Sequence, residues 1–261
     1  LRSELFQHID GIALTAPIST LFTKHEKIFN FLKTINTTVL NFDELILNGI
    51  NADYLNVTLR LFESQGWLDR KLRNDKSIHV TPTLKGTKIF KNSSLYHTFF
   101  KHFDFLINLD FKNDETHTGI NKILYDYENI KNHTNNTNII KHIEGLILGS
   151  ILVNLSINKY LEINQNDKLI FNESLNKLNV ESIINIFNKF NFMNNDIINE
   201  KGKFFIKRSA AYGVTVSYMP LFNQMEILLF GNTKNILTRD ENNNETHVNR
   251  KMNVWGSGGA H

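Results

Sequence analysis

The stretch Leu59-Arg60-Leu61-Phe62-Glu63-Ser64-Gln65-Gly66-Trp67-Leu68-Asp69-Arg70-Lys71-Leu72, continued by Ser77-Ile78-His79-Val80-Thr81-Pro82-Thr83-Leu84-Lys85-Gly86, decides how the chain is read. Tyr54, Leu55, Leu59 and Phe62 recur at helical steps behind Asn51, a good helix-capping residue. Gly66 ends that helix where a left-handed residue is easiest. The alternation over Trp67–Leu72 and Ser77–Thr81 predicts two strands, and the polar Arg73-Asn74-Asp75-Lys76 turn makes them a hairpin. Pro82 and Gly86 mark the exit into a short helix ending near Phe90. Upstream, Ile28, Phe29, Leu32 and Ile35 form one apolar helical face, and Asn41 with Glu44 marks a second helix start carrying Phe42, Leu45 and Ile46. Three helices followed by a hairpin spell a winged helix-turn-helix over residues 20–93.

Further along, the pattern returns. Leu169-Ile170-Phe171 is strand-like, and Ile183, Ile184 and Phe187 keep helical spacing within Val180–Phe190. The segment Ile186-Phe187-Asn188-Lys189-Phe190-Asn191-Phe192-Met193 parallels Leu61–Leu68; Lys203–Lys207 is expected as a wing strand, and Ala211-Tyr212-Gly213 as the counterpart of Leu84-Lys85-Gly86. Residues 139–230 are therefore expected to hold a helix and a second winged-helix-like unit. Residues 94–138 read as a helical connector, with one apolar helix through Leu95, Phe99, Phe103, Leu106 and Ile107 and polar loops at 113–119 and 131–138. Leu221–Phe230 reads as a short helix closed by Gly231, and residues 231–261 as a linker leading into a core that the chain stops before. The fold class expected is α+β and mostly helical: tandem winged-helix units with connecting helices, the catalytic Rossmann-like core being absent.

Composition narrows the chemistry. The 29 Lys and Arg nearly balance the 26 Asp and Glu, for a net charge of +3, so no strong basic field argues for nucleic acid. With no cysteine, disulfides, thiolate metal sites and cysteine nucleophiles are excluded, and a reducing, cytoplasmic setting is expected. The run Gly145–Ile157 is too short to span a bilayer and reads as a buried helix, so no membrane partner is expected. His97 and His102 stand five apart and do not share a helical face as a ligand pair would; His25, His117 and His142 read as surface or satisfied core residues. No Ser-His-Asp spacing or nucleophile elbow is present, so no catalytic residue is assigned. Gly256-Ser257-Gly258-Gly259 lacks the lysine of a phosphate loop. The third helix of the first unit carries Asp53 and Glu63 beside Asn56 and Arg60, which makes a poor groove reader even though the wing holds Arg70, Lys71, Arg73 and Lys76.

On these residues the chain resembles a known family. Leu59–Leu68 with Ile78–Gly86 is similar to the N-terminal winged-helix domain of class I S-adenosylmethionine-dependent methyltransferases. Ala211-Tyr212-Gly213-Val214-Thr215-Val216-Ser217-Tyr218-Met219-Pro220-Leu221-Phe222, Leu228-Leu229-Phe230-Gly231-Asn232 and the final His247–His261 resemble the region upstream of the cofactor-binding core in methyltransferases associated with polyketide synthases. The family's acidic, glycine-rich cofactor motif is not among these residues. The resemblance implies a lid and adaptor for a transferase whose S-adenosylmethionine is held mainly by that core. It implies an acyl substrate, carried on an acyl-carrier protein, and a homodimer through the winged helix. It places Trp255, Gly256, Gly258, Gly259 and His261 toward the cofactor and Tyr212 in the substrate pocket. Some relatives use a metal near the cofactor; nothing in the spacing here shows one, and no metal ligand is assigned. The competing expectation is a non-enzymatic winged-helix module, either a DNA-binding regulator or a protein-docking unit.

Overall fold

The computed structural model describes residues 1–258. In chain order, α1 (Arg2–Lys24) and α2 (Glu26–Leu32) precede β1 (Thr38–Asn41), α3 (Phe42–Leu47), α4 (Ala52–Ser64), β2 (Leu68–Leu72), β3 (Ser77–Pro82) and α5 (Leu84–Phe90). Next come α6 (Ser93–Phe100), α7 (Phe103–Ile107), α8 (Thr116–His133), α9 (Thr137–Ile157), β4 (Leu161–Ile163) and β5 (Leu169–Phe171). The remainder is α10 (Lys177–Lys189), β6 (Met193–Asn194), β7 (Ile197–Ile198), α11 (Glu200–Lys207), α12 (Ala210–Ser217), α13 (Met219–Phe222), α14 (Met225–Phe230) and α15 (Arg250–Gly258). The protein is thus α+β and mostly helical. Two compact units share these elements, each discontinuous in sequence. The first takes Leu1–Ala13, Lys101–Met219 and the chain from Val248 onward; the second takes Leu14–Phe100 and Pro220–His247.

The second unit contains the winged helix. Asn41 accepts the Glu44 amide at 3.1 Å and starts α3 as its sequence suggests. Asn51 does not cap α4 with its side chain; it donates instead to the carbonyls of Leu228 and Gly231, at 2.7 and 3.0 Å. At Gly66 the backbone turns with φ +68°, the left-handed geometry that glycine adopts without strain. Phe62, Trp67 and Phe90 then close an aromatic core, their ring centroids 5.1 to 5.8 Å apart. The sheet has the order β1-β3-β2, antiparallel throughout, with Leu68 opposite Pro82 and Thr38 opposite Val80. The four-residue β1 is an addition to the hairpin expected from sequence.

The first unit repeats the winged-helix turn atom for atom. Trp67 N bonds Phe62 O at 3.1 Å, and Phe192 N bonds Phe187 O at 2.7 Å. Thr83 N bonds Trp67 O, and Asn199 N bonds Phe192 O, both at 2.9 Å. Thr83 caps α5 through the Gly86 amide, and Asn199 caps α11 through the Gly202 amide. Asn191, standing where the first copy has Gly66, likewise takes a positive φ of 57°. The true counterpart of Leu84-Lys85-Gly86 is therefore Glu200-Lys201-Gly202, not Ala211-Tyr212-Gly213. Lys203–Lys207 belongs to α11 and is not a strand, because the Asn199 cap starts a helix there. The wing itself is the minimal β6–β7 hairpin.

Other local expectations shift. The apolar helix expected over Leu95–Ile107 breaks into α6 and α7. The expected loop at 131–138 shrinks to residues 134–136, because Asn136 accepts the Asn138 and Ile139 amides and starts α9 immediately. Helix α9 is the one described helix long and apolar enough to cross a membrane, and 83% of its apolar window is buried within the protein. It crosses α1 at a distance set by two glycines: a Cβ on Gly11 would stand 2.2 Å from the His142 backbone, and one on Gly145 2.2 Å from the His8 backbone.

Candidate functional site

The residues expected at the cofactor lie on α15. Rather than an extended entry and a glycine turn, Asn249 accepts the Met252 amide at 3.1 Å and starts a helix that runs through Gly258. Gly256 is buried against α12, where its own Cβ would stand 2.7 Å from Val214 N, and Gly213 faces it with the same tightness. Trp255 supplies the ring edge 3.1 Å from a Cβ position on Gly213. The glycine at 256 thus serves a helix–helix approach, while Gly258 lies exposed at the end of α15. Gly259 and His261 fall outside the described residues.

The winged-helix face of α4 is not arranged for a polyanion. Glu63 binds Arg70 Nε at 3.2 Å, and Arg70 Nη1 donates to Asn56 Oδ1 at 2.8 Å. The best base-reading amide and one wing cation are therefore bonded to each other. What α4 leaves exposed is Asp53, Tyr54, Val57, Arg60 and Ser64, with Val57 58% exposed.

Tyr212, expected in the substrate pocket, is fully buried on α12, and its hydroxyl meets His8 Nδ1 at 2.8 Å. It leads into a buried ionisable cluster that occupies the first unit. Glu4 and His8 come from one face of α1, four residues apart; Lys141 and Glu144 come from α9; Tyr127 from α8; Lys201 from α11. Lys141 donates to Glu4 at 2.5 Å and to Glu144 at 2.7 Å, Lys201 lies 3.2 Å from Glu4, and Tyr127 donates to Glu144 at 2.6 Å. The His8 ring stacks on Phe205 with centroids 5.2 Å apart. Its Nε2 has no hydrogen-bond partner; the nearest carboxylate oxygens, on Glu144 and Glu4, are 3.6 and 3.9 Å away.

Burial sets the electrostatics, and the partners answer it. Burial alone would raise the Glu144 pKa, but His8, Lys141 and Tyr127 outweigh it and bring the carboxyl down to about 2. Glu4 is lowered in the same way, burial being overcome by Lys141 and Lys201. Lys141 is raised, because its bonds to Glu144 and Glu4 exceed the cost of its burial. His8 is lowered chiefly by burial, and burial likewise pushes the Tyr127 and Tyr212 phenols up. Two carboxylates face two ammonium groups, so the cluster is charge-balanced with a neutral imidazole.

This cluster was not found from sequence. Two signals pointed to it: Glu4 and His8 stand at i,i+4 spacing, and Glu144 borders the most apolar run of the chain. Two other histidines are engaged elsewhere: within the second unit His97 Nδ1 lies 2.9 Å from Ser19 Oγ, and within the first His102 Nε2 lies 2.7 Å from Asp126 Oδ2.

Two stretches of the chain are similar to described families. Residues 1–70 match the AprA N-terminal domain, and residues 144–232 match the AprA winged helix domain. The second match covers the turn-for-turn repeat from α10 to α11 and ends just beyond Gly231. No curated protein matches the chain.

Proposed function

We propose that these residues are the lid and adaptor portion of an S-adenosylmethionine-dependent methyltransferase acting on an acyl substrate presented by an acyl-carrier protein. The observation that carries this reading is the pair of AprA matches on one chain, N-terminal domain first and winged helix domain second. The sheets add support. Among the described residues they are antiparallel, of three, two and two strands, and hold no parallel doubly wound sheet of the kind that binds a nucleoside cofactor at its switch point. The methyl donor is then held by a separate core, and this portion shields the reacting groups from water and helps to select the acyl chain. In this reading Trp255 and Gly258 on α15 face that core, and the winged helix pairs two copies.

The competing reading, a DNA-binding regulator, asks for free cations and base-reading amides on α4. Arg70 and Asn56 are spent on each other, and the exposed face of α4 offers a single cation, Arg60, beside Asp53, Tyr54 and Val57. Calorimetry and a salt-dependent duplex titration on the 261-residue chain test the two together. The lid reading expects no tight S-adenosylmethionine binding by these residues alone and no steep loss of duplex affinity with salt. A regulator releases counterions and shows that steep slope. Tight cofactor binding by this chain alone counts against the lid reading just as directly.

A further inference from the structure

We infer that Glu4, His8 and Glu144 form a site for a divalent transition-metal ion, with Lys141 as a built-in competitor for the same position. The inference does not depend on the methyltransferase reading. One oxygen from each carboxylate and one ring nitrogen of His8 lie within 4.8 Å of one another, close enough for a single ion to reach all three. The second observation is the state of His8. Its side chain is wholly buried, Nδ1 is taken by Tyr212, and Nε2 points between the two carboxylates without a hydrogen bond.

Either tautomer leaves that nitrogen short of a partner. With the proton on Nε2, the carboxylate oxygens at 3.6 and 3.9 Å are too distant to accept it. With the proton on Nδ1, donated to the Tyr212 oxygen, Nε2 turns a lone pair toward two anions. That second arrangement is the one an outer hydrogen bond imposes on a metal-ligating imidazole: the far nitrogen is fixed and the near one is free to coordinate. Two carboxylates and one imidazole are a donor set for zinc or a neighbouring ion of the first transition row, with a fourth position left for water.

The lysines define how such an ion binds. Lys141 bridges Glu4 and Glu144, and Lys201 also reaches Glu4 while its ammonium holds the Phe190 carbonyl at 3.1 Å. The carboxylates are therefore already neutralised, and an ion enters by exchange. Lys141 is the group that leaves. Its side chain is 28% exposed, against 9% for Glu144, so its ammonium can swing into water while the donors stay in place. Lys201, tied to the end of α10, remains. The site is accordingly modest in affinity and tightens when the competing ammonium is removed.

Zn2+ titration of the full 261-residue protein by calorimetry, with Co2+ absorption as a ligand-field signature, tests this. One ion per chain is expected, together with a rise in melting temperature on adding Zn2+. Lys141→Met keeps all three donors and should tighten binding by about tenfold or more. Glu144→Gln and His8→Phe should abolish it, with the fold of each variant checked by circular dichroism. If those two variants fail to fold, the Lys141→Met protein decides alone. Stoichiometric Co2+ binding that shifts the His8 Nε2 resonance supports the site, and folded Lys141→Met protein that takes up neither ion overturns it. Binding that survives in folded Glu144→Gln protein overturns it as well.

Discussion

At Glu144 two opposing effects meet, and their balance decides how the protein responds to acid. Burial favours the protonated carboxyl, yet its neighbours, with Lys141 and Tyr127 donating to it, hold it ionised down to a pKa of about 2, against an ordinary 4.5. Because the folded value lies below the unfolded one, this contribution is complete above pH 4.5 and is lost as pH falls toward 2. A shift of that size corresponds to roughly 3–4 kcal/mol at most. His8 acts in the same direction: its folded value lies below 6.5, so acid must charge a buried ring and stability begins to fall below that pH. In chelator-treated protein, the melting temperature should hold steady above pH 6.5, decline as pH drops below it, and fall more steeply below pH 4.5. Glu144→Gln should flatten the lower limb while lowering stability at neutral pH, since Lys141 and Tyr127 lose a charged acceptor. An unchanged lower limb in that variant would mean that the carboxylate is not what acid attacks. Sequence concealed this residue for a physical reason: its partners Tyr127 and His8 lie on two other helices, and no spacing along the chain registers a meeting of that kind.

Between elements, backbone proximity does the positioning. The α1–α9 crossing depends on Gly11 and Gly145, each lying against the backbone of the opposite helix. Gly145→Ala tests which of two effects wins. Alanine gains about 1 kcal/mol of helix propensity, but its Cβ would stand 2.2 Å from His8 Cα and O, where only a helix shift relieves the clash. Overpacking of that sort costs roughly 1–3 kcal/mol or more, so a net loss is expected in denaturant titration. A neutral or stabilised variant would show that the crossing is looser than its geometry. The same comparison explains what was legible in advance. The first winged helix was readable because each step has a local cause: the Asn41 cap, the left-handed Gly66, the polar turn at 73–76 and the exit marked by Pro82 and Gly86. The second was only half readable. Phe187 and Phe192 match Phe62 and Trp67, but Asn replaces Gly at the left-handed position and the wing shortens to two-residue strands, which weakens every turn signal. The alternation then pointed to Lys203–Lys207, which Asn199 makes a helix. The glycines near the end looked like a ligand loop because close backbone approach uses glycine whether the neighbour is a ligand or another helix, and here the neighbour of Gly256 is Gly213.

Taken as a whole, the chain assembles each compact unit from separated segments, and α1 contributes to both: Leu1–Ala13 to one, Leu14 onward to the other. Removing residues 1–13 should therefore damage the two units unequally. The first loses the buried Leu5 and Ile12 side chains along with Glu4 and His8. At roughly 1.5–3 kcal/mol for each buried aliphatic side chain, the two apolar losses alone approach the lower end of a domain's total stability, about 5 kcal/mol. Lys141 loses Glu4 and Glu144 loses His8 in the same step. The second unit keeps Leu14, Ile18 and Leu21 in its core, and Ser19 keeps its bond to His97. Hydrogen exchange on the shortened chain should show amides of α9 and α10 losing most of their protection, while those of α4, β2 and β3 stay close to their values in the full chain. Equal loss in both units would mean that they fold as one cooperative body. Undiminished protection in α9 would mean that the first half of α1 is dispensable and that the buried cluster it supplies holds nothing together.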